Sequence, residues 1–125
     1  HQLEHELSAA WDVAHGAGLA AVWGSWARYV YREIPERFAQ FAVNVCGVTN
    51  RFSNPEQTAL EGIRRMEDFF RSIGMPVSIG EMGITLTDEK IRELAHKCSF
   101  FGTRTIGAFK KLDEKDMEEI YRAAR

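Results

Sequence analysis

The sequence predicts an all-α domain of about six helices over residues 1–125, on three observations. Apolar residues recur at spacings of three and four in segment after segment, the period that gives a helix one buried stripe. Helix start and stop signals, among them Asn54-Pro55 and Gly74, bracket those segments. No stretch alternates polar and apolar residues long enough for a strand; Phe52 and Val77 to Ile79 are the places where a short one could hide.

Leu3 and Leu7, four apart, mark Gln2 to Ala10 as a first helix. His1 has no Ser, Thr, Asp or Asn ahead of it, so these residues are expected to lie inside a longer helix of a longer chain. Asp12 is the expected N-cap of a second helix from Val13 to about Arg32, with Leu19, Val22, Trp23, Trp26 and Val30 on its apolar face. Pro35 suits the first turn of a third helix, whose stripe of Phe38, Phe41, Ala42 and Val45 runs to Gly47. Asn54-Pro55-Glu56-Gln57 offers a cap, a proline at the first helical position and a glutamine able to close a capping box. From there Leu60, Ile63, Met66, Glu67 and Phe70 carry a fourth helix to Gly74. Met75 to Thr87 reads as an irregular connection. Thr87-Asp88-Glu89 caps a fifth helix to about Lys97 or Phe100, and Gly102 and Gly107 break the next stretch. Asp113 caps the last, Glu114 to Ala124, with Met117, Ile120 and Tyr121 facing inward.

Composition narrows the function. The formal net charge of −2 and the lack of a basic block give no electrostatic reason for a nucleic-acid or anionic-lipid partner. The most apolar stretch, Ala17 to Trp26, is followed at once by Arg28 and falls short of the ~20 residues a bilayer crossing needs. Cys46 and Cys98 lie far apart without a CxxC pair, and no signal peptide stands out, so reduced thiols and a cytoplasmic location are expected.

The chemistry concentrates at one end. Three of the four histidines, His1, His5 and His15, fall in the first fifteen residues. Imidazole offers a neutral nitrogen donor near neutral pH and is the commonest protein ligand for zinc, iron and copper. His1 and His5, four apart, share a helix face about 6 Å along the axis. A tight turn could fold His15 back onto that pair. Spacing alone also admits plain surface histidines on a helical interaction domain. His15-Gly16-Ala17-Gly18 sets two glycines into a strong helix former, and each costs roughly 1 kcal/mol against alanine. Close approach of a cofactor, another domain or another helix would account for them. His1-Gln2-Leu3-Glu4-His5 also fits the H-x-x-E-H pattern of inverted zinc metalloproteases, with Glu4 as general base and Glu67 or Glu81 as a distant ligand.

His1-Gln2-Leu3-Glu4-His5-Glu6-Leu7-Ser8-Ala9, followed by Trp11-Asp12-Val13-Ala14-His15-Gly16-Ala17-Gly18-Leu19-Ala20, resembles the metal-site signature of iron-containing (group III) alcohol dehydrogenases, in the butanol dehydrogenase-like branch. Similarity continues through Arg37 to Ala42, Ile73-Gly74-Met75-Pro76, Thr105-Ile106-Gly107 and Ile120 to Ala124, nearly the whole chain. The resemblance implies the helical C-terminal half of a dehydroquinate synthase-like fold, preceded by a Rossmann-like domain that binds NAD(H) or NADP(H). It implies an Fe2+ or Zn2+ ion held by an aspartate and three histidines, of which His1 and His15 match the last two. His5 then matches the histidine beside the nicotinamide and substrate, which is not a ligand. Spacing favours His1 with His5 as the chelating pair; the resemblance is followed on this point. The aspartate, the first histidine ligand and the glycine-rich pyrophosphate loop match nothing here and are expected ahead of His1, so the chain alone is expected to be inactive. The implied reaction is the reversible oxidation of a primary alcohol to an aldehyde, in a homodimer. Cys98 either approaches the substrate cleft, as the resemblance implies, or is a small buried residue with no chemistry, which is the favoured reading. Trp11 could likewise wall the alkyl pocket or pack in the core, and His96 is expected at a helix end on the surface.

Overall fold

The computed structural model describes residues 1–125. Six helices follow one another: α1 (Gln2–Trp11), α2 (His15–Val30), α3 (Pro35–Asn44), α4 (Pro55–Ser72), α5 (Asp88–Cys98) and α6 (Glu114–Ala124). Single 3₁₀ turns lie at Tyr31–Glu33 and Gly80–Met82. Neither Phe52 nor Val77 to Ile79 forms a strand; extended pairing is limited to an antiparallel bridge between Ile106 and Leu112. No helix is long and apolar enough to cross a membrane.

Helix α2 is the central element and packs against α1, α4 and α6. Helix α3 lies on α4, and α5 bridges α1 and α6. Leu3 and Leu7 of α1, Val22, Ala27 and Val30 of α2, Ile63 of α4 and Ile91 of α5 meet Met117, Ile120 and Tyr121 of α6 in one buried cluster. The inward faces expected of α1 and α6 are the observed ones. The Tyr121 hydroxyl is satisfied in the core by donating to the Leu3 carbonyl at 2.6 Å, and burial pushes its pKa far up.

The caps explain where helices begin. Asn54 accepts from the Gln57 N–H at 3.2 Å and Thr87 from the Lys90 N–H at 3.1 Å. The box expected at Asn54 does not close, because the Gln57 side chain bonds the Asn54 amide instead of its backbone. A complete box forms at α6, where Asp113 and Asp116 each accept from the other's backbone. Asp116 also accepts from the Tyr29 hydroxyl of α2 at 2.5 Å, which, with smaller help from burial, pushes that phenol up to about 12. Helix α4 stops as expected: Gly74 takes φ 77° while Met75 N–H returns to the Phe70 carbonyl at 2.8 Å.

Two expectations are corrected. Asp12 does not cap α2; it closes α1 in the left-handed region, φ 52°, with its N–H on the Ser8 carbonyl at 2.9 Å. Aspartate tolerates that conformation as it tolerates the N-cap, so the residue type alone does not distinguish the two roles. Helix α2 therefore starts two residues later than expected, with Ala14 in the cap position and no side-chain bond. The stripe expected on α3 is also narrower. Phe38, Ala39 and Ala42 are buried, whereas Val45 lies past the helix end and is 64% exposed.

The α3–α4 crossing depends on Gly62, where an added Cβ would lie 2.9 Å from the Ala42 Cα. Gly62→Ala should therefore destabilise the fold by about 1–3 kcal/mol, read as a lower urea midpoint at unchanged slope. A phenol raised from 10.0 to about 12 stabilises the fold fully below the lower value and loses that contribution as pH rises through the higher one. Alkaline titration followed by phenolate absorbance should show a step near 12 that Tyr29→Phe removes.

Candidate metal centre

Helix α1 carries His1 at its N-cap and His5 one turn on, both exposed. The turn through Asp12 and Ala14 reverses the chain so that His15, the first residue of α2, comes back against them. The ring centroid of His15 lies 5.3 Å from that of His1 and 5.6 Å from that of His5, and His1 and His5 are 6.5 Å apart. One ring nitrogen from each of the three falls within 4.8 Å of the other two. Nε2 of His15 faces Nδ1 of His1 at 3.3 Å. The cluster anticipated from spacing is thus assembled, with all three rings at the surface.

Beneath it sits a residue the sequence did not single out as a support. Glu4 is 0% exposed, and its carboxylate is in hydrogen-bond contact with His15 Nδ1 through one oxygen and accepts from the Ser8 hydroxyl on the other. A general base of an H-x-x-E-H protease must reach a metal-bound water. Glu4 has no exposed surface and both oxygens engaged, so the pattern lacks its base. The donor set itself suits a borderline divalent ion: three imidazoles, one of them held through its far nitrogen by a carboxylate.

His1 also opens on an apolar slot of about 410 Å³ walled by Leu3, Leu19, Val22, Trp23, Trp26 and Ile106. Trp11 is not part of it; half-buried, it lines a separate narrow groove with Glu6, Ala9, Lys90 and Lys97. Cys98 is fully buried and donates to the Gln2 carbonyl at 3.6 Å, in keeping with the reading of a small core residue. Burial pushes its thiol pKa up. His96 is exposed at the end of α5, where Nδ1 pairs with the Glu114 carboxylate at 2.7 Å.

The family model for the C-terminal part of the Fe-containing alcohol dehydrogenase family matches residues 1–125. The chain belongs to that family. Among curated members, it is 36% identical over 124 residues to a probable NADH-dependent butanol dehydrogenase 1 of Bacillus subtilis, covering 99% of this chain and 31% of that protein. It is 32% identical over 123 residues to NADH-dependent butanol dehydrogenase A of Clostridium acetobutylicum, covering 98% and 31%. A crystal structure of a Thermotoga maritima NADH-dependent butanol dehydrogenase A superposes with TM-score 0.87 at 33% identity, over 99% of this chain and 32% of that one. An aldehyde reductase of E. coli superposes equally well, TM-score 0.87, at 25% identity. The six helices are thus the all-α C-terminal domain of Fe-containing alcohol dehydrogenases, and the chain spans about a third of the length of these relatives, 31% and 32%.

The two cysteines should separate by reactivity. Cys46 is half-buried and Cys98 fully buried. Mass spectrometry after brief alkylation of native protein should find Cys46 modified and Cys98 intact until denaturant is added. Early labelling of Cys98 would mean that the α1–α5–α6 core opens readily.

Proposed function

We propose that this chain forms the metal-binding half of a metal- and NAD(P)-dependent alcohol dehydrogenase that interconverts primary alcohols and aldehydes. The observation that carries the proposal is the convergence of His1, His5 and His15 on one surface of the family's C-terminal domain. NAD(H) is the favoured coenzyme, because butanol dehydrogenases similar in sequence to this chain are named for NADH.

His1 and His15 would hold the metal, completed by an aspartate and a histidine expected ahead of His1. When bound, Fe2+ or Zn2+ supplies Lewis-acid polarisation of the substrate oxygen, and the nicotinamide supplies the hydride acceptor. His15 contributes a nitrogen whose ring is oriented from behind by Glu4. His5 is exposed and stacks within the cluster, 5.6 Å from His15 between centroids, so its ring can pass the alcohol proton to solvent. Leu3, Leu19, Val22, Trp23 and Trp26 offer an apolar wall beside His1 suited to an alkyl chain. The chain by itself would be inactive, and the intact enzyme a cytoplasmic homodimer.

The test uses the full-length protein, with metal content measured beside NAD-linked oxidation of 1-butanol. His1→Ala and His15→Ala should each lower metal affinity by more than the ~10–100-fold that loss of an outer-shell partner costs, with turnover lost in step. His5→Ala should keep the metal, slow turnover ~100-fold or more and alter the pH–rate profile. Retention of metal in both ligand variants would overturn the assignment, and an unchanged profile in His5→Ala would remove the relay.

A further inference from the structure

We propose that Glu4 is a positioning residue: from a seat formed by Ser8 and Gly18, it fixes His15 as the Nδ1–H tautomer with Nε2 presented to the imidazole cluster. The proposal rests on the metal reading above for its purpose, but not for its geometry.

Glu4 occupies an unusual place for a carboxylate. It is 0% exposed between α1 and α2, and its ion-pair partner is His15 rather than a lysine or arginine. Burying a carboxylate costs several kcal/mol unless its oxygens are satisfied. Here both are, one by the Ser8 hydroxyl a turn further along α1 and one by His15 Nδ1. An ionised carboxylate only accepts, so the proton in the second contact belongs to the histidine. A neutral His15 then carries its lone pair on Nε2, the atom that faces His1 at 3.3 Å.

Room for this arrangement comes from Gly18. A Cβ there would lie 2.6 Å from Glu4 Cγ and 2.9 Å from Cδ, so any side chain would displace the carboxylate. The other glycine of the pair makes no comparable demand. A Cβ on Gly16 would meet only Met75 Cε, at an ordinary 3.5 Å. One of the two glycines that the sequence left unexplained is therefore spent on Glu4. The helix gives up alanine's better propensity to keep that position bare.

The bland alternative is a clamp between two helices, indifferent to which nitrogen of His15 is protonated. Nitrogen-resolved NMR of the metal-free full chain at about pH 8 separates the two. Native His15 should show Nδ1 protonated and Nε2 bare. Glu4→Gln keeps an oxygen able to accept and should keep that tautomer. Glu4→Met preserves length and bulk without an acceptor and should shift His15 toward Nε2–H. Gly18→Ala should reproduce that shift with Glu4 still present. In the full-length protein, Zn2+ affinity by competition titration should fall ~10–100-fold in Glu4→Met and less in Glu4→Gln. Circular dichroism guards against unfolding. An Nε2–H tautomer in the native chain would overturn the proposal, as would an unchanged tautomer in folded Glu4→Met. The expected tautomer with no Zn2+ uptake by native full-length protein would sustain the role of Glu4 and overturn instead the metal reading of the cluster.

Discussion

The constraint on which the site depends is the reversal between α1 and α2. Histidines at positions one, five and fifteen can share a surface only if the chain turns within a few residues after Trp11. Asp12 achieves this by ending α1 in the left-handed region, after which Ala14 is extended and His15 begins the next helix. The reversal brings the N-terminal turn of α2 alongside α1. His15 stands where a ligand can be approached from above by solvent and held from below by the protein.

The other half of the site is anchored from the core. The first turn of α1 would be free to shift were it held only by its own helix bonds. Tyr121 of α6 donates to the Leu3 carbonyl and Cys98 of α5 to that of Gln2, so two buried side chains from the far end of the sequence grip the backbone beside His1. Leu3 and Leu7 bury the face of α1 opposite His5. This arrangement gives Cys98 a structural role. Its hydrogen bond reaches the cluster through one carbonyl, that of the residue next to His1.

Much of this was legible in order of locality. The caps at Asn54, Thr87 and Asp113, the stop at Gly74 and the inward faces of α1 and α6 are set by residues within a turn or two, and all were readable. The convergence of three imidazoles followed from helix periodicity plus one turn. What could not be read depends on contacts between helices. Asp12 suits either helix end, and only the path of α2 decides. Glu4 looked like a motif carboxylate because its burial is created by α2, eleven residues away at His15 and fourteen at Gly18. Gly18 was a visible anomaly whose cause lay on another helix. Trp11 could wall a pocket or pack in the core on sequence alone, and the groove it lines is made jointly with α5.

Helix α2 contains an internal comparison that sharpens the reading of Glu4. Further along, Glu67 of α4 is also nearly buried, at 7%, and is also seated over a helix glycine: a Cβ on Gly24 would lie 2.7 Å from its Cδ. Its partner is Arg28, which grips both oxygens and is raised in pKa chiefly by that bond. A guanidinium is always charged and satisfies a carboxylate bidentately, so Arg28 and Glu67 form a static clamp between α2 and α4. At Glu4 the same seat is built, but the cation fork is replaced by one imidazole nitrogen and one hydroxyl. That substitution is the weaker choice for holding two helices together. It differs in turning a second nitrogen away from the carboxylate, toward His1 at 3.3 Å. If helix joining were all that was required, the solution at Gly24 would serve equally at Gly18; histidine at that seat adds what a guanidinium fork does not, a second ring nitrogen directed at His1.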